Sequence, residues 1–197
     1  MVKEYAFFNS NIYVGNNETY DIIGKQYKIL IKKCCKYSKV FSLNLTYGRP
    51  KEYEKLEHFE IHDNSYFRRI HNIANSNLKD AFCFGFEDSS QAVDAIRDGR
   101  LRFYKVCDDT CKLLIDMANS IFSWKLGAGN VNAENLLFYR SDGSELFCLT
   151  DGLCILNLRE NEDFDDVILN DPWLYVDGWK VSYIDENLRS DKPVKFD

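Results

Sequence analysis

The residues best suited to chemistry lie at His58-Phe59-Glu60-Ile61-His62, with Glu54 four positions before His58. Imidazole nitrogens and carboxylate oxygens are donors that zinc and manganese accept. On a helix, residues 58 and 62 share a face because positions four apart are neighbours. On a strand, His58, Glu60 and His62 share a face because side chains alternate. Either arrangement would serve a metal-dependent hydrolase, the alternative function for this chain. The spacing is not the His-Glu-x-x-His of the zincins, and His71 is the one further histidine. An exposed polar face on an amphipathic segment explains the same residues, so neither a metal nor another cofactor is expected.

Cys107 and Cys111 are a C-x3-C pair at the start of an expected helix, where a thiolate is favoured. One pair falls short of the four ligands of a structural zinc. No signature of a Cys–His nucleophile flanks it, and Cys111 fits the apolar stripe of the helix that follows. The seven cysteines (34, 35, 83, 107, 111, 148 and 154) are odd in number and sit mostly among apolar neighbours, as in Leu146-Phe147-Cys148-Leu149. They read as free, buried thiols and not as a disulfide framework. Gly127-Ala128-Gly129-Asn130 follows a helix and lacks the Lys-Ser/Thr of a phosphate loop, so it reads as a helix stop.

Charge is uneven. The net charge of −6 divides into +5 over residues 1–50, −2 over 51–140 and −9 over 141–197. Lys25, Lys28, Lys32, Lys36 and Lys39 run down one face of the first helix. That stripe lacks the arginines of bidentate phosphate and base recognition, so nucleic acid is not the expected partner. In the C-terminal third, Glu160, Glu162, Asp163, Asp165, Asp166 and Asp171 precede Trp173, Tyr175 and Trp179. Interfaces use aromatic anchors, with charge adding steering. The six acids with Trp173 and Trp179 are therefore the expected partner-binding residues.

The elements that must position these groups follow from periodicity. Tyr20, Ile23, Tyr27, Leu30, Ile31 and Cys34 predict a helix over 19–38. A strand is expected at 40–47, ended by Tyr47-Gly48-Arg49-Pro50. Residues 51–62 are ambiguous. A short helix at 65–76, a buried strand at 81–86 and a helix from Asp88 to Gly99 come next. Leu101, Phe103 and Val106 belong to a further strand. The cleanest stripe (Cys111, Leu114, Ile115, Ala118, Ile121, Phe122) predicts a central helix over 109–124.

Asp-Gly pairs at 142–143, 151–152 and 177–178 are hairpin signals, because such turns need positive φ. The first two join strands near 135–140, 145–150 and 153–158 into a meander. The third joins 173–176 to 179–183, with a short acidic helix over 160–170 before it.

With 45% hydrophobic and 28% charged residues, three prolines and no linker-like stretch, the 197 residues read as a single α+β domain. The expected fold is an antiparallel sheet, with a C-terminal β-meander and hairpin, and helices packed on one face. Met1–Tyr5 lacks the apolar core of a signal peptide, and no run approaches the ~18 apolar residues of a membrane span. A reduced, cytoplasmic protein without membrane contact is expected. The acidic segment and the missing catalytic set point to a protein-binding module, in concrete form an acidic inhibitor or immunity-type protein that blocks a basic protein partner.

Overall fold

A computed structural model of the chain describes residues 2–8, 21–45, 53–61, 94–95, 98–126, 134–142, 144–150, 153–169 and 173–176. The described strands are β1 (Val2–Phe8), β2 (Val40–Asn44), β3 (Leu101–Lys105), β4 (Glu134–Tyr139), β5 (Glu145–Thr150), β6 (Leu153–Arg159) and β7 (Leu174–Val176). They form one sheet in the order β3-β2-β4-β5-β6-β1-β7, with every neighbouring pair antiparallel. The described helices are α1 (Gly24–Tyr37), α2 (Glu54–Glu57), α3 (Asp108–Met117), α4 (Ser123–Leu126) and α5 (Asp165–Ile168). The fold is α+β, as the sequence predicts.

The meander β4-β5-β6 lies where the Asp-Gly spacing puts it. Leu136, Leu137, Phe138 and Tyr139 are all buried, so this strand carries a continuous apolar run and not an alternating one. One sheet face presents Phe7, Phe41, Tyr104, Phe138, Phe147 and Leu156, and the helices pack their apolar sides on it. Tyr27, Leu30, Ile31 and Cys34 come from α1, Leu114 from α3, Trp124 from α4 and Val167 from α5. Within that layer the Tyr27 hydroxyl donates to the Leu114 carbonyl oxygen (2.6 Å), and the Trp124 indole N–H donates to the Tyr27 oxygen (3.0 Å). The opposite face also carries fully buried residues, including Ala6, Ser42 and Leu137.

Several elements differ from their predicted form. The first helix begins at Gly24, not at residue 19, and Gly24 has φ +58°. Ile23 bridges to Ser120, and the Gly24 N–H donates to the Asn119 carbonyl oxygen at 2.8 Å. The same contact breaks the predicted 109–124 helix. Ala118 is extended, and the Ile121 N–H donates to the Ile22 carbonyl oxygen. The apolar stripe passes through the break because Ala118, Ile121 and Phe122 are buried on either geometry.

The second strand ends at Asn44, not 47. The acidic helix shortens to Asp165–Ile168 behind a turn at 160–161. Within the ambiguous 51–62 stretch, the described residues 53–61 hold α2 and a bridge from Glu60 to Tyr104. β1 was not predicted. It lies between β6 and β7, so Leu174–Val176 pairs with Glu4–Ala6. The predicted hairpin partner at 179–183, the elements at 65–76 and 81–86, and the Gly127–Gly129 stop lie outside the described residues. Of the 88–99 helix, Asp94 and Ala95 are helical and Gly99 takes φ +67°, the left-handed conformation of a terminating glycine.

Candidate functional site

Three places hold the residues that could act. The acidic segment is built around Arg140, at the end of β4. Its guanidinium donates to both carboxylate oxygens of Glu162 at 2.5 Å, to the Glu145 carbonyl oxygen at 2.7 Å and to the Asn157 carbonyl oxygen. The Glu162 carboxylate also accepts from the Arg159 N–H at 2.9 Å. Side-chain exposure is 5% for Arg140 and 4% for Glu162, so this is a buried bidentate pair. Asp142 begins a side-chain turn, accepting from the Ser144 N–H and hydroxyl and from Arg159.

Beyond this anchor the chain turns outward. Asp163 accepts from Lys33 of α1 at 3.0 Å, and Asp166 lies 3.5 Å from the same ammonium. Lys33, then the Asp165 N–H, hold the Asp163 carboxyl below its ordinary range. The Asp163 N–H donates to the Tyr37 hydroxyl, and the Phe164 ring packs on Tyr37 with centroids 5.7 Å apart. Phe164 and Val167 are buried beneath α5, while Leu169 is 80% exposed.

The predicted partner-binding set therefore divides. Glu160, Asp163, Asp165 and Asp166 are exposed on one short stretch. Glu162 is turned inward onto Arg140, and Trp173 is buried against Phe7, with centroids 5.9 Å apart. Those two side chains are committed to the fold: the first satisfies a buried guanidinium and the second fills the core. Asp171 and Trp179 lie outside the described residues. Tyr175 is 55% exposed on β7 and meets Tyr5 edge-on at 5.6 Å.

Of the His/Glu constellation, Glu54, His58 and Glu60 are among the described residues. Glu60 pairs with Arg102 at 2.5 Å, whereas His58 is exposed at the end of α2. His62 lies outside the described residues. Among the described residues no group of three His, Cys, Asp or Glu is placed to hold a metal ion. His58 instead lines a cavity of about 570 Å³ between α2 and α3, with Glu54, Lys55, Asp109, Lys112 and Asp116.

The third place is a cleft of about 640 Å³ where α1 meets the start of α3. Cys35, Cys107 and Cys111 open into it, and Lys32, Lys36, Lys39 and Lys112 surround it with Asp108. Cys107 occupies the N-cap of α3. Its N–H donates to the Thr110 hydroxyl oxygen at 2.9 Å, and that hydroxyl reaches the Lys105 and Cys107 carbonyl oxygens. Cys35 on α1 and Cys111 on α3 both line this cleft. The neighbouring Cys35 thiol pulls the Cys111 thiol down to about 7, aided by Lys32 and opposed by burial and Asp108. The Cys111 thiol, then burial, pushes Cys35 far up. Sequence reading assigned Cys111 to the core stripe and missed Cys35 as its neighbour. The signal was available: both cysteines stand on helix faces bordered by lysines.

Comparison with known protein families, curated proteins and solved structures finds no match to the chain. Among the described residues, no helix is long and apolar enough to cross a membrane.

Proposed function

We propose that the chain is a protein-binding module that presents Glu160, Asp163, Asp165 and Asp166 to a basic protein partner. The observation that carries this reading is the buried Arg140–Glu162 fork. It ties the turn after β6 to β4 and leaves the flanking carboxylates in water. A surface held in place before encounter loses less conformational freedom on binding. Lys33 lies between Asp163 and Asp166 and would yield to a partner's cations. The exposed Leu169 adds an apolar contact beside the charges. In concrete form the module is an inhibitor of immunity type, which covers a basic substrate cleft by charge complementarity.

The test begins with affinity capture from the native host, identification of the partner, and association kinetics across ionic strength. Wild type should associate more slowly as salt rises. Asp163→Asn/Asp165→Asn/Asp166→Asn should mainly lower the on-rate and leave the fold intact. A partner whose association ignores both salt and the triple substitution would overturn the site. Turnover of a small molecule with no partner recovered would overturn the function.

A further inference from the structure

We propose that Cys111 and Cys35 form a dithiol site that exchanges with a small anionic disulfide of the glutathione class, Cys111 attacking and Cys35 resolving. This does not depend on the acidic surface.

Four observations support it. The two cysteines come from different helices, α1 and α3, which pack on one another, and both line the same cleft. They open into a cleft of about 640 Å³, large enough for a peptide-sized disulfide. Four lysines and one aspartate make the lining net cationic, which suits a ligand bearing carboxylates. Cys111 lies in the first turns of α3, where the helix N-terminus favours a thiolate. Cys34, one residue away, is fully buried in the core and does not line the cleft.

The reaction balances without a further reagent. The Cys111 thiolate attacks one sulfur of the disulfide, forms a mixed disulfide and expels one small thiolate. That thiolate takes up the proton Cys111 has released. The Cys35 thiol then attacks the Cys111 sulfur and expels the second small thiolate, which takes the Cys35 proton. The protein dithiol is oxidised to a disulfide, and one small disulfide is reduced to two thiols.

The experiment treats the reduced full chain with oxidised glutathione at neutral pH and maps the products by peptide mass, which also separates Cys83 and the remaining thiols. Wild type should yield a Cys35–Cys111 disulfide. Cys35→Ser should stop at a mixed disulfide on Cys111, and Cys111→Ser should give neither product. Lys36→Gln/Lys39→Gln/Lys112→Gln should slow the first step about tenfold with oxidised glutathione, while leaving the rate with neutral 2-hydroxyethyl disulfide unchanged. Lys32 is retained because it acts on Cys111 directly. Labelling spread evenly over the cysteines, or a Cys35→Ser protein that accumulates no Cys111 adduct, overturns the dithiol site. Equal slowing with both disulfides overturns the anionic ligand. A Cys111→Ala protein with the wild-type circular dichroism spectrum guards against loss of fold as the cause.

Discussion

At the scale of single residues, the Arg140–Glu162 pair separates structural charge from surface charge. Removing one member of a buried pair strands the other, at a cost of about 3–5 kcal/mol. Glu162→Ala should therefore lower the unfolding free energy by that amount in urea titration. The Lys33–Asp163 contact is exposed and screened by solvent, so Asp163→Asn should move the midpoint little. A second group sets the pH dependence. Burial, then the charge of Glu4, pushes the Glu145 carboxyl from 4.5 up to about 7, against Arg140. Burial raises Glu4 as well, and among the described residues neither of its carboxylate oxygens has a hydrogen-bond partner. A carboxyl with a raised folded value holds more protons folded than unfolded. Its contribution is full below pH 4.5 and is lost as pH rises through about 7. Urea stability should fall over that window, by at most about 3 kcal/mol for Glu145, and Glu145→Gln should flatten the slope. Asp142, held low by Ser144 and Arg159, acts in the opposite sense and only below its ordinary 3.8.

At the scale of elements, the start of α3 depends on one buried hydroxyl. Thr110 is fully buried and joins the Cys107 N–H to the Lys105 carbonyl oxygen. Thr110→Val keeps the volume but leaves both groups unpaired, at a cost of about 1–3 kcal/mol, whereas Thr110→Ser should retain much of the stability. Chemical denaturation of the two variants checks this. The α1–α5 contact makes its own prediction. Lys33→Met removes the cation that screens Asp163 and Asp166, so association with a basic partner should quicken at low salt and match wild type at high salt. These elements also show what a sequence can carry. The meander was legible because Asp-Gly turns and apolar runs are local signals. The end of α3 was not, because Ala118, Ile121 and Phe122 keep helical spacing while Asn119 and Ser120 bond to the chain before α1. Within the acidic segment, sequence could count carboxylates. It could not tell that Glu162 has a buried arginine partner 22 positions earlier, or that Cys35 lines the same cleft as Cys111.

At the scale of the whole molecule, the sheet order explains why the N-terminal strand escaped notice. Among the described residues Val2–Phe8 pairs only with strands distant in sequence, β6 on one side and β7 on the other, and Val2 meets Arg159. That pairing fixes the timing of synthesis. β1 leaves the ribosome before both strands that flank it, which are made about 150 residues later, on the order of ten seconds at ordinary elongation rates. Throughout that interval Ala6 and Phe7, buried in the finished sheet, lack the two strands that pair with β1. Nascent chains arrested before residue 153 should therefore show β1 open to protease and bound by a holdase chaperone, and chains arrested well past residue 176 should show it protected. Slowing translation between α3 and β6 should increase aggregation, while slowing it after β7 should not, so the gene's codon usage in that middle stretch bears on yield as directly as any substitution in the core.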